Sequence, residues 1–88
     1  MKQMNSTLTL NDGTVLEGSY VIQNGNTLYL YCYAEITFGD LFALLNDPEK
    51  AKKITMDRGG ERTVFRGFKE LFCIRKEDGN FISAGLRK

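Results

Sequence analysis

Residue types that do chemistry are thinly supplied in this sequence. Histidine is absent, which removes the commonest general base near neutral pH and the commonest metal ligand. Cys32 and Cys73 each lie in an apolar run without CxxC spacing. The pattern reads as two buried free thiols rather than a disulfide or redox pair. A structural zinc site needs four N or S ligands, more than these two can supply. The serines, Ser6, Ser19 and Ser83, have no G-x-S-x-G context and no base partner. Asn11-Asp12-Gly13 lacks the further acids of a calcium loop, and no glycine spacing matches a phosphate loop. These absences predict a protein that is not an enzyme, with no catalytic residues, no cofactor and no metal.

Three features have the chemistry of binding rather than catalysis. Tyr29, Tyr31 and Tyr33 recur at every second position, which sets rings about 6.6–7 Å apart along a strand. Exposed, such a ladder could stack on bases or sugars; packed beneath a helix, it would be core with hydroxyls reaching water. The second reading is preferred, because an apolar helical stripe downstream needs a partner face. Arg58-Gly59-Gly60 has the composition of an RGG segment, but Ile54 and Met56 before it and Val64 and Phe65 after it mark a hairpin. Finally, Arg62, Arg66, Lys69, Arg75, Lys76, Arg87 and Lys88 follow one another through the last strands. Glu61, Glu70, Glu77 and Asp78 interrupt that run, so a solvated face is preferred over a phosphate track. The candidate interaction surface is therefore Tyr29, Tyr31, Tyr33, Arg62, Arg66, Lys69, Arg75 and Lys76.

Four turn signals define the elements that must position these residues: Asn11-Asp12-Gly13, Asn24-Gly25-Asn26, Arg58-Gly59-Gly60 and Asp78-Gly79-Asn80. Each supplies residues that tolerate positive φ, as tight hairpin turns require. Thr7 to Leu10 alternates as a first strand. Leu16, Gly18, Tyr20 and Ile22 line one face of a second. Thr27 to Ala34 carries packing residues on both faces, as a central strand does. The period then changes, with Phe38, Leu41, Phe42 and Leu45 forming one stripe of a helix. Thr37 is its N-cap, Asp40 completes a capping-box variant, and Asn46-Asp47-Pro48 ends it. Glu49 to Lys53 can add one further turn led by Pro48. Strand period returns at Ile54 and Met56, and Thr63 to Lys76 reads as one long run bent or bulged at Gly67. Phe81 to Leu86 closes the chain with Ile82, Ala84 and Leu86 inward.

The fold class expected is α+β, mostly β: a small antiparallel β-roll or barrel of six to seven strands, with one amphipathic helix inserted after the third strand. Leu30, Leu41, Leu45, Phe72, Ile74 and Ile82 should be core. The 88 residues make one domain, 1–88, with no repeat or linker, and 42% apolar and 26% charged content is ordinary for a globular chain. Met1 to Ser6 has no apolar h-region and no run approaches membrane length, so neither standard secretion nor membrane insertion is expected. Residues 1–49 carry one base and six acids, net −5, whereas residues 50–88 carry eleven bases and five acids, net +6. Such asymmetry suits an assembly surface or a nucleic-acid face unless the halves interleave in space.

The segments Leu10-Asn11-Asp12-Gly13-Thr14, Leu44-Leu45-Asn46-Asp47-Pro48-Glu49-Lys50 with Ile54, and Val64-Phe65-Arg66-Gly67-Phe68-Lys69-Glu70-Leu71, continuing into Ile74, Gly79, Ile82, Leu86 and Lys88, resemble short uncharacterised proteins of phages and prophages of Gram-positive, often intestinal, bacteria. The resemblance spans most of the chain but consists of turns, a helix end and a closing hairpin. It implies a phage or mobile-element origin, with a place in the bacterial host cytoplasm or in a virion. The expected function is a small structural or interaction protein, a virion or tail-module part, whose partners are other proteins or copies of itself. The alternative is a nucleic-acid-binding or host-modulating module that uses the basic C-terminal strands and the tyrosines. A third reading is a small enzyme or ligand carrier with a pocket between helix and sheet.

Overall fold

Three of the four turn signals fold hairpins between described strands. The computed structural model describes residues 6–78 and 81–88, so the Asp78-Gly79-Asn80 turn lies partly outside the described residues. β1 (Ser6–Thr9) pairs antiparallel with β2 (Val15–Glu17), and β3 (Tyr20–Asn24) with β4 (Thr27–Cys32). After α1 (Phe38–Leu45) and α2 (Pro48–Ala51), β5 (Lys53–Arg58) pairs with β6 (Glu61–Arg66), and β7 (Glu70–Lys76) with β8 (Ile82–Arg87). The hairpins assemble into two four-stranded antiparallel sheets, ordered β2-β1-β5-β6 and β3-β4-β8-β7. The architecture is thus mostly β, as expected. It has eight strands rather than six or seven among the described residues, in two sheets and not one closed barrel, and the helices follow the fourth strand.

The extra strands come from two glycine corners. Gly18 has φ +76 and its N–H donates to Ser6 O at 2.8 Å; Gly67 has φ +85 and its N–H donates to Lys52 O at 3.1 Å. Side chains other than glycine pay a steric penalty at such φ. At each corner the chain leaves the first sheet and enters the second. Residues 16–22 are therefore not one strand: the phase resets at the corner, Val21 is buried and Ile22 is 51% exposed. Likewise Thr63 to Lys76 is not one run bent at Gly67 but two strands in different sheets.

The two corners are equivalent positions. Exchanging β1 with β5, β2 with β6, β3 with β7 and β4 with β8 leaves the strand order of both sheets unchanged. Each half is a hairpin in the first sheet, a glycine corner, and a hairpin in the second. The halves meet along two antiparallel seams, β1 with β5 and β4 with β8. Strands from the acidic half occupy one side of each sheet and strands from the basic half the other, so the halves adjoin rather than intermix.

Leu8, Leu16, Leu28, Leu30, Ile54 and Leu86 from both sheets form a shared core with Leu41 and Leu45 of α1. Thr37 Oγ1 accepts the Asp40 N–H at 3.1 Å, and Asp47 Oδ1 accepts the Glu49 N–H at 3.0 Å with Pro48 leading α2. α1 is too short to persist alone in water, so its docking stabilises it. The docked arc centres on Leu41, flanked by Leu44 and Leu45. Phe42 lies about 100° round the helix from Leu41, and both Phe42 (42%) and Phe38 (39%) are exposed, contrary to the expected stripe.

Leu30, Leu41, Leu45 and Ile82 are buried as expected, and Ile74 is half-buried. Phe72 is not core. A bulge between Leu71 and Cys73 inserts one residue into β7, so Leu71 and Ile74 face the core while Phe72 turns outward, 38% exposed. The same bulge exposes Cys73, which was expected to be buried; Cys32 is buried, and both are free thiols.

Candidate interaction face

Strand period decides what the second sheet shows on its outer side. In β4, Leu28, Leu30 and Cys32 enter the core, so Tyr29 and Tyr31, followed by Tyr33, project to the opposite face. The tyrosines therefore do not pack beneath α1. The helix instead meets the other face of the same strand, because Leu41 and Leu45 join the cluster that holds Leu28 and Leu30.

Neighbouring strands extend the ladder into a layer. Register aligns Ile22, Tyr29, Gly85 and Cys73 in one row across the sheet, with Phe72 beside them in the bulge, and Tyr20, Tyr31, Ser83 and Arg75 in the next. Tyr20 stacks on Tyr31 at 5.1 Å between ring centroids and on Tyr33 at 6.4 Å; Phe81 stacks on Tyr33 at 4.7 Å and on Tyr31 at 6.1 Å. Interplanar angles in this group are 11–24°, so the rings cover much of one another's flat faces. Tyr29 meets the Phe72 edge at 6.4 Å and 79°. A Cβ on Gly85 would lie 2.6 Å from Phe72 Cζ, so the ring occupies the space a side chain would fill.

Cations border this layer. The Arg87 guanidinium lies 4.8 Å over Phe72 and also pairs with Glu70 at 3.3 Å. Arg58, at the end of β5, lies 5.5 Å over Tyr20. Arg75 pairs with Glu77 at 3.5 Å, and Glu77 Oε2 accepts the Ser83 hydroxyl at 3.0 Å. Below the rings, the buried Ser19 Oγ accepts the Tyr33 N–H at 3.1 Å. Burial pushes the Cys32 thiol up to about 11, opposed by a weaker hydrogen bond with Ser19. It is a neutral core thiol near neutral pH.

Of the candidate surface, Tyr29, Tyr31, Tyr33 and Arg75 come together on this face. Arg62 and Arg66 are exposed on β6 in the other sheet, where Arg62 pairs with Asp57 at 2.9 Å. Lys69 lies in the connection between β6 and β7, and Lys76 lines a cleft. Tyr20, Phe72 and Phe81 belong to the face but were not legible from the strand pattern. Tyr20 follows once Gly18 is read as a corner; Phe72 follows only from the bulge.

The cleft, about 430 Å³, opens beside the start of α1. Ala34, Ile36, Phe38 and Ile82 are among its lining residues, with Glu35 and Lys76 as its ionisable groups. Its hydroxyl, Thr37 Oγ1, accepts the helix-capping bond. Among the described residues, no cluster of three or more His, Cys, Asp or Glu side chains is arranged to hold a metal, and no helix is long and apolar enough to cross a membrane. Comparison with protein-family models, with curated proteins and with solved structures finds no match.

Proposed function

We propose that this chain is a non-enzymatic interaction protein of phage or prophage origin, a structural part of a virion or tail module acting through protein–protein contacts. The observation that carries the contact reading is the continuous aromatic layer on the outer face of the β3-β4-β8-β7 sheet. Tyr, Phe and Arg are the side chains that anchor protein interfaces, and contiguous exposed apolar patches mark such sites. The origin rests on the resemblance of the turn and helix-end segments, and the proposed location, host cytoplasm or virion, rests on the same resemblance. Flanking tail or capsid genes are what that part of the proposal expects.

Nucleic-acid binding is the second reading, and one observation favours it: tyrosines project from an open sheet face with arginines over two of its rings, the materials of base stacking. Two observations weigh against it. The rings already stack on one another, and Arg75 and Arg87 are engaged by Glu77 and Glu70. Fluorescence anisotropy with single- and double-stranded oligonucleotides near 0.15 M salt, where the Debye length is about 8 Å, separates the readings. No binding is expected. Micromolar binding that weakens with salt and is lost in Arg75→Glu plus Arg87→Glu would overturn the protein-contact reading.

A further inference from the structure

We infer that the occupant of the aromatic face is a second copy of this chain, docked face to face about a two-fold axis; the inference rests on the protein-contact reading. Three observations argue for it. The ionic side chains at the β7 side of the face, Arg75, Arg87, Glu70 and Glu77, pair within the chain at 3.3–3.5 Å. A phosphate-bearing or strongly acidic partner would meet arginines whose charge is already offset within the chain, whereas an identical face brings no added net charge to them. Shape gives the second argument. Gly85 leaves the only gap in its row and the Phe72 ring fills it, so the face has little relief, and a sheet face with little relief is the natural complement of another.

Area gives the third. Four strands at about 4.8 Å and six residues at about 3.3 Å make a face of about 19 by 20 Å, hence about 380 Å² per copy. Two such faces bury about 760 Å² together, under the roughly 1,000 Å² that a stable complex clears. That fits a weak, reversible self-contact rather than a permanent partner, expected to dissociate on the order of 100 μM. The side chains with most to gain are Ile22, 51% exposed, and Tyr33, 49% exposed. They stand on the β3 and β4 side, away from the ion pairs. An isologous contact buries each of them twice, once on each copy.

Sedimentation equilibrium on the intact chain from roughly 5 μM to 1 mM, a range that brackets the expected constant, tests the inference. A monomer–dimer equilibrium is expected. Ile22→Lys and Tyr33→Lys should each weaken it at least about tenfold, while Val64→Lys, at a site 42% exposed in the other sheet, leaves it unchanged. Circular dichroism checks that each variant folds, and on dilution the amide shifts of Ile22, Tyr29 and Phe72 should move together. A monomer throughout, or association lost in Val64→Lys and kept in both face variants, overturns the second-copy assignment. With no oligonucleotide binding, that result leaves the protein-contact reading standing; salt-sensitive oligonucleotide binding removes the reading itself.

Discussion

Replacing Gly85 by alanine measures how firmly Phe72 is held on the outer face. Gly85 lies in β8 between Tyr29 and Cys73 and is not among the glycines with positive φ. The backbone therefore accepts alanine, and removing a strand glycine gains about 0.5–1 kcal/mol. The new methyl, however, would sit 2.6 and 2.8 Å from Phe72 ring carbons and 3.0 Å from Cys73 Sγ. The ring must swing away. It then loses its edge contact with Tyr29, about 0.5–1.5 kcal/mol, and the Arg87 cation, about 0.5–1 kcal/mol. The balance is a net destabilisation of about 1 kcal/mol, within a span of about 0–2 kcal/mol. In a Phe72→Ala background those contacts are already gone, so the same change should stabilise by about 0.5 kcal/mol. Urea unfolding of the four proteins of this double-mutant cycle, with unchanged m values, reads the coupling. If Gly85→Ala has the same effect in both backgrounds to within about 0.5 kcal/mol, the Phe72 ring is not held over Gly85.

Leu41→Ala should cost about 2–5 kcal/mol, whereas Phe42→Ala, one residue on but largely exposed, should cost under about 1 kcal/mol; thermal or urea unfolding distinguishes them. In native protein Ellman's reagent should modify Cys73 readily and Cys32 slowly, and unfolding without reductant should release two thiols per chain; recovery of none would mean a disulfide. Burial raises the Cys32 thiol from 9.0 to about 11, so below pH 9 it is neutral both folded and unfolded. As pH rises from 9 toward 11 only the unfolded thiol ionises, and stability should fall by about 2–3 kcal/mol relative to Cys32→Ala measured in parallel.

Where the sequence spoke through a strong period, its reading carries over to the structure. β4 shows alternation and α1 a Thr37 cap and a stop before Pro48, local signals that act over a few residues, whereas only Leu41 and Leu45 of the four-residue stripe are buried. The two corners were illegible for a definite reason. A glycine inside a strand pattern reads as a bulge whether the chain stays in its sheet or leaves it. Here the carbonyls of Ser6 and Lys52, both distant in sequence, decide the matter. Leu71-Phe72-Cys73-Ile74 is apolar at every position, so nothing local marks which residue the bulge ejects. The tyrosine ladder raised the same difficulty, because β4 is apolar on both faces and periodicity cannot say which of them α1 covers. The basic run divides at Gly67, which sends Arg62 and Arg66 to one sheet and Arg75 and Arg87 to the other.

The exchange-invariant strand order has a consequence for how the chain comes together. Its four hairpins are local, but both seams are remote: Leu8 meets Met56, and Leu30 meets Ala84. Hairpins can form early, while the seams must wait for a long loop to close, which is the slow step in such topologies. In folding terms this is an association of two pieces made unimolecular by the helical strap between β4 and β5. Cleavage between Asn46 and Asp47 would leave residues 1–46 with one base and four acids, net −3, and residues 47–88 with eleven bases and seven acids, net +4. Opposite charge should draw the fragments together, so a mixture of the two should regain near-ultraviolet dichroism, and regain it faster at low salt than at high.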